Sequence, residues 1–598
     1  MEHKVTREEF IKLGGLTLLG LLTHDFAFGT STMGRNDSIK LDKDLLKKFV
    51  ENNDIKVDHI LKNNTLDQIQ KLNNFRNLGS EISIMVASLC HNMSEFYNSE
   101  VVVKRIDDAL DAMLQVQYEN GTLDAGGNRQ SPPDTGFILE SMCASATVLR
   151  LNEAPELQRL RDKLKTFILN AGEALVSGGV HTPNHRWVVS AALAHINSLY
   201  PHPKYLRRID QWLAEGVYLN EDGHYSERSG VYSAVINRAL ITMARLLNKP
   251  ELLEKVTKNL RTYYYHTEPN GDVVSVDSRR QDQFMTLTVT HFYLQYRFMA
   301  IYAKDPMFAY MVKFIENLPD FKTSILSKDL VLFMADDLLQ QDITVEPKAV
   351  NDFETFFVLS NLARIRRGNT SITLFGGNDK PVMIVSGRSS NPNFLMYRKG
   401  EAILKYMRLS TSFFRMGYFS SDGINKQGNT YILRETKKAY YYQPLEEKYL
   451  KEDGDYELSE SLDRRFWNKM DFKSRNVSDV KQQDTIIEIT ENNGTLDLDF
   501  KVEGPPHVEV TIEMCFKEGS TFTGADRDAD GNYLLKSGFG ELSVGSDVIK
   551  VGPGKIAHVN VNRLDSEQYT YHQGTLRTDG VHVYITGFTP FYHKMTIG

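Results

Sequence analysis

At 598 residues the chain is long enough for roughly two to four domains with large cores, and its 41% apolar and 25% charged residues are those of an ordinary globular protein. A net charge of −7 excludes a general nucleic-acid binder, which carries a strong basic excess, but leaves room for a locally basic cleft. The three cysteines, Cys90, Cys143 and Cys515, supply neither a disulfide framework nor a Cys-rich zinc motif.

The first residues have the layout of an export signal. Lys4 and Arg7 precede the apolar run Leu13 to Leu22, which is too short to span a bilayer but suits a signal core. Ala27-Phe28-Gly29 offers a cleavage site. Residues 1–29 are therefore read as a signal-like segment and 30–49 as a polar linker. The expected location is exported, periplasmic or secreted, with no membrane insertion once the signal is removed.

From 50 to 346 apolar residues recur at helical spacing, in segments such as Ile82 to Tyr97, Val101 to Val116, Phe137 to Leu151, Trp187 to Leu199, Tyr232 to Leu247 and Phe284 to Tyr302. Short loops of Gly, Pro, Asn and Asp divide them, and no strand-like alternation of any length intervenes. Four polar clusters stand just before apolar helices: Ser131 to Thr135, His181 to Trp187, Tyr225 to Tyr232, and Asp277 to Asp282. They recur about every 50 residues, the period of one αα-hairpin per step in a repeat array. All four should then lie at helix N-termini on one end of the array. If the array curls into an (α/α) toroid, that end is a cleft whose helix dipoles favour an anionic ligand.

After Pro347 the pattern changes to period two, in stretches such as Ser371 to Phe375, Val382 to Val385, Thr485 to Thr490, Thr495 to Phe500, His507 to Met514 and Val581 to Thr586. Many short strands without helices between them predict antiparallel sheets packed as a sandwich over 347–598. The expected fold is thus multidomain, α then β.

The clusters limit the chemistry. His181 and His185 are four apart, but Pro183 between them breaks a helical ligand pair, so neither a metal nor any other cofactor is expected. No phosphate-binding or dinucleotide fingerprint is present. Asp134, Glu227 and Asp282 could supply the carboxylate pair of a toroid glycoside hydrolase, and a non-catalytic glycan-binding protein is a further alternative. The abundance of Arg, His, Asn and Tyr suits β-elimination at a uronic acid better. There, amides and cations neutralise the sugar carboxylate, so that charge can build beside it as the C5 proton leaves. A base takes that proton and an acid protonates the departing O4. A tyrosine can serve when neighbouring cations stabilise its phenolate. On this reading Arg186, His181, Asp134, Glu227, Arg228, Arg279, Arg280 and Gln281 are candidate substrate-binding residues. The partner is an acidic poly- or oligosaccharide, and the oligomeric state is left open.

The helical array followed by a sandwich, with Asn184-His185 and then Asp222-Gly-His-Tyr225-Ser-Glu227 running to Tyr232, resembles the heparinase II/III-like polysaccharide lyases. The resemblance implies that Asn184 and His185 neutralise the uronate and that Tyr232 transfers protons, with Tyr225 as the second choice. It also implies a histidine on an early strand of the β-domain. The matching stretch, Ser386-Gly-Arg388 to Phe394, has none. Either Arg388 substitutes electrostatically, or His185 or His224 supplies the second proton relay, or Tyr232 does both tasks. The modest net charge points to glucuronate in a non-sulfated glycan. A narrower likeness is to lyases that remove rhamnose from glucuronate in arabinogalactan.

Overall fold

The computed structural model describes residues 40–63, 75–377, 391–464, 466–529, 531–561, 570–571, 574–575 and 579–598. The signal-like segment, the stretch from Val382 to Val385 and Arg388 lie outside the described residues.

Twelve α-helices are described in the first half: α1 (Lys43–Lys62), α2 (Phe75–Cys90), α3 (Glu100–Val116), α4 (Pro132–Leu151), α5 (Gln158–Ser177), α6 (His185–Leu199), α7 (Pro203–Ala214), α8 (Gly230–Leu246), α9 (Leu252–His266), α10 (Tyr293–Tyr302), α11 (Pro306–Glu316) and α12 (Leu330–Met334). Helix α1 begins inside the stretch read as a linker, with the Asp42 carboxylate accepting from the Leu45 amide as its cap. Helices α2, α4, α6, α8 and α10 pack against one another in that order, and α12 touches α2 and α4 to close the ring. The intervening helices lie outside. This is the (α/α) toroid. Its inner helices are apolar nearly all round, as expected for elements buried on several faces.

Two short antiparallel ribbons interrupt the helices, Leu123–Ala125 with Asn128–Ser131 and Asp272–Val273 with Leu287–Thr288. They are too short to leave a period-two signature. For the same reason the helix expected over 284–302 starts only at Tyr293, after short 3₁₀ turns.

The second half contains two large sheets. Its main strands are β1 (Phe353–Phe357), β2 (Leu362–Arg367), β3 (Thr370–Phe375), β4 (Leu395–Lys399), β5 (Ala402–Thr411), β6 (Ile424–Gln427), β7 (Thr430–Leu445), β8 (Arg475–Asn492), β9 (Thr495–Glu503), β10 (Glu509–Phe516), β11 (Thr521–Thr523), β12 (Asp526–Arg527), β13 (Tyr533–Leu534), β14 (Gly540–Val544), β15 (Asp547–Gly552), β16 (Val581–Phe588) and β17 (Phe591–Ile597). One sheet runs β12-β13-β16-β10-β5-β4-β3-β2-β1 and the other β6-β7-β8-β9-β17-β15-β14-β11. Every described pairing in them is antiparallel except β13 with β16. Ile372, Leu404, Ile512 and Ile585 from one sheet and Ile487, Leu498, Phe500 and Met595 from the other form a shared core, so the two sheets are a sandwich.

The seam between the halves is built, not incidental. The fully buried Arg364 on β2 pairs with Glu268 at 2.8 Å and donates to the Tyr265 carbonyl at 3.0 Å. The Ser360 amide donates to Asp222 at 2.9 Å. A buried charge held by both partners fixes orientation more than it adds stability.

Candidate active site

The N-terminus of α8 positions the central tyrosine. Ser229 caps it: its Oγ accepts from the Tyr232 amide at 3.2 Å and donates to Asp282 Oδ2 at 2.9 Å. Asp282 also accepts from the Gly230 amide at 2.9 Å and from Ser278 Oγ. Burial pushes the Asp282 carboxyl above its ordinary range, and these hydrogen bonds work against that shift. Asp282 therefore clamps the 277–282 loop onto the start of α8. That clamp sets Tyr232 and Arg280 side by side.

The half-buried Tyr232 phenol oxygen accepts from Gln281 Nε2 at 3.1 Å and Arg280 Nη2 at 3.3 Å, and the Arg280 guanidinium lies 4.5 Å above its ring. Arg280 Nη1 pairs with Glu227. Glu227, only 5% exposed, also accepts from Asn184 Nδ2 at 3.0 Å. A continuous chain thus runs from Asn184 through Glu227 and Arg280 to the phenol. Arg76 on α2 completes the rim. It pairs with Asp134, lies 4.3 Å over the Phe137 ring, and is near enough to Tyr232 for their charges to interact. Asp134 also accepts from Asn128 Nδ2 at 2.9 Å and Ser131 Oγ at 2.6 Å, so it is the holder of Arg76.

His185 opens α6. Its ring stands edge-on to His181, with centroids 4.7 Å apart, and Phe137 is 6.0 Å away. Burial first, then the neighbouring His181, Arg76 and Arg280, push its pKa down to about 4. It is a neutral imidazole at neutral pH, with a buried Nδ1 that has no partner. The sign of its pH linkage follows. Between about 6.5 and about 4 the unfolded chain binds a proton that the folded chain refuses. Stability tied to His185 is complete above 6.5 and falls as the pH drops through that window. Urea titrations should show wild type losing about 2 kcal/mol relative to His185→Gln between those limits. A pH-independent difference would contradict this.

Several expected site residues take other places. Arg186 does not face the rim: it pairs with Glu215 at 2.6 Å and stacks on Trp187 at 4.8 Å. Adjacent helical residues point about 100° apart, so His185 and Arg186 cannot share a direction. Tyr225 is a core residue, 3% exposed, donating to Asn237 Oδ1 at 2.7 Å, and burial raises its pKa steeply. Tyr225→Phe should cost about 1 kcal/mol in unfolding free energy and leave turnover within about twofold. A large rate loss would return Tyr225 to the site. Asn184 is fully buried, and its amide donates to Glu227 and to Thr182 Oγ1. It orients the rim rather than offering a free donor. Arg228, at φ +46°, turns toward the β-half, where Nη1 donates to the Leu359 carbonyl at 3.4 Å.

Arg279 ties its loop to the one before α8, through its amide to the Glu227 carbonyl at 3.1 Å and Nη1 to the Ser226 carbonyl at 3.4 Å. His181 is exposed beside His185. Sequence reasoning missed Arg76. The available signal was its place at the start of an apolar helix, about one repeat before Asp134. Asp134, Glu227 and Asp282, the acids of the hydrolase alternative, are each buried and held by several donors.

No family model matches the chain, and no curated protein does. Solved structures do. Heparinase III matches with a TM-score of 0.52 at 12% identity, over 86% of this chain and 75% of that one. The chondroitin AC lyase of Streptomyces coelicolor A3 matches at 0.53 and 10% identity, over 92% and 79%. A Paenibacillus xanthan lyase matches at 0.53 and 10%, over 93% of this chain but 57% of its own. The shared feature is the fold, an (α/α) toroid followed by a β-sandwich.

Proposed function

We propose that the chain is a polysaccharide lyase that breaks the bond at O4 of a uronic acid by β-elimination. The observation that carries this reading is the phenol of Tyr232, bracketed by Arg280 and Gln281, with Arg76 and a neutral His185 on the same rim. The fold shared with proteins named as lyases of acidic glycans supports it.

In the proposed reaction Arg76, Arg280 and the exposed His181 attract the sugar carboxylate. The charge of the two guanidinia favours the electron density that gathers there as the C5–H bond breaks. Tyr232, as phenolate, takes the C5 proton. The electron pair forms the C4–C5 double bond and expels O4, which receives the proton that Tyr232 took from C5, while the neutral His185 offers a hydrogen bond only. Asn184 and Glu227 hold Arg280, and Asp134 holds Arg76. Gln281 donates to the phenol oxygen and keeps it aimed. Arg279 and Arg228 fix the loops.

The finer reading is glucuronate in a non-sulfated glycan, with rhamnose-α-1,4-glucuronate ends of arabinogalactan as the first substrate to test. The chain is proposed to act outside the cytoplasm. Among the described residues no helix is long and apolar enough to cross a membrane. A panel of glucuronate glycans, each paired with its carboxyl-reduced form, tests the carboxylate requirement. Cleavage of the acidic form alone is expected. Equal cleavage of the reduced form would overturn the mechanism.

A further inference from the structure

A second cluster lies behind the rim, where the toroid meets the sandwich. The Asp222-Gly223 turn drives His224 inward. Gly223 has φ +85°, and a Cβ there would sit 2.1 Å from Thr262 Oγ1, so the turn can approach α9 only as glycine. His224 meets His266, at the end of α9, with ring centroids 5.1 Å apart. Asp277 faces both: its Oδ2 is 3.6 Å from His224 Nε2 and 3.8 Å from His266 Nε2. All three residues are at most 2% exposed.

The hydrogen bonding leaves a specific deficit. His266 Nδ1 is 2.9 Å from the Thr262 carbonyl, which can only accept, so that nitrogen carries the proton. The remaining Nε2 of a neutral ring is then a bare lone pair. It has no partner, and neither does either nitrogen of His224 or Oδ2 of Asp277. Two buried acceptors, His266 Nε2 and Asp277 Oδ2, thus meet at the ring of His224, whose tautomer no hydrogen bond fixes. Left so, each costs about 1–3 kcal/mol. Burial works against the charge on Asp277, and His266, His224 and then Arg228 work for it, yet no donor among the described residues lies within hydrogen-bond distance of its Oδ2. Phe357, whose ring centroid is 4.8 Å from that of His266, and Tyr263 line the cluster with aromatic carbon, and Arg228 and Arg279 are near enough for their charges to act on His224.

We propose that His224 Nε2, His266 Nε2 and Asp277 Oδ2 bind a Zn²⁺ ion that ties the active-site loops together. These ligand atoms all lie within 4.8 Å of one another. Tetrahedral zinc with bonds of about 2.0–2.2 Å places its ligands roughly 3.3–3.6 Å apart, so both measured separations need only a small contraction. Two imidazoles with one carboxylate suit zinc better than magnesium or calcium, which favour all-oxygen sets. The His266–Thr262 bond is the outer contact that fixes the tautomer of a metal-bound histidine. The expectation of no metal rested on the His181–His185 pair, whereas this site draws its ligands from three separate segments.

The consequence is positional. His224 lies three residues before Glu227, and Asp277 three before Arg280. One ion would pin the two loops whose side chains form the Glu227–Arg280–Tyr232 chain. The site stands independently of the lyase reading, because its readout is metal content.

The test is elemental analysis of the purified full chain after dialysis against metal-free buffer, followed by Co²⁺ uptake into chelator-stripped protein. About one zinc per chain is expected, with a visible absorption band on cobalt binding and a rise in Tm on adding Zn²⁺. His266→Ala and Asp277→Ala should each lower the affinity at least about tenfold. If those variants fail to fold, the wild-type metal content and cobalt spectrum decide alone. A chain that purifies without metal and takes up neither ion when stripped would overturn the site. Metal-binding protein inactive on every uronate would leave the site standing and remove the proposed function instead.

Discussion

Tyr232→Phe is expected to lower kcat by roughly a thousandfold or more, with KM within about threefold of wild type. The substitution removes one oxygen. That oxygen accepts from Arg280 and Gln281, and in the proposed reaction it receives the C5 proton. Neither donor depends on it for burial: Arg280 keeps Glu227 and its side chain is 23% exposed. Unfolding free energy should therefore change by no more than about 1 kcal/mol. Steady-state kinetics and a urea titration on the same preparation check the pair of expectations. A variant that keeps more than about a tenth of wild-type kcat would remove Tyr232 from proton transfer.

Arg280→Met should damage both stability and rate. It leaves Glu227 nearly buried without its cation and, among the described residues, with Asn184 as its remaining donor, a loss of about 3 kcal/mol. It also removes positive charge beside the phenol, with an expected fall in kcat/KM of about 10²–10³-fold. The two effects can be separated. Adding Glu227→Gln to Arg280→Met removes the unpaired charge, so the double variant should recover most of the stability and none of the rate. If stability and rate recover together, Arg280 acts by folding the rim and not by touching substrate.

The two halves were legible because each has a clean period. Inner helices such as α6 and α8 are apolar over many turns, and strands such as β9 and β10 alternate or are buried throughout. The rim was legible for a related reason. Polar residues that precede an apolar helix must sit near its N-terminus, and parallel neighbours put those N-termini at one end. Direction within a cluster was not legible. Arg186 and His185 are adjacent, yet one turns outward to Glu215 and the other inward to Phe137. Tyr225 and Tyr232 both follow the same glycine turn, and only their burial separates them. Arg76 was hidden because its partners, Asp134 and Phe137, are about 60 residues away in the chain. His224, His266 and Asp277 converge only through the tertiary structure. Asp277 in particular reads in sequence as part of the arginine cluster.

The rim of Tyr232 and Arg280 is proposed to eliminate across C4 and C5 rather than to add water. Cleavage of a glucuronate glycan in oxygen-labelled water, with mass spectrometry of both fragments, tests it most directly. Elimination predicts a fragment carrying an unsaturated, ultraviolet-absorbing uronate and no label in either fragment. Saturated products with one labelled oxygen at the cleaved bond would show hydrolysis and contradict the account.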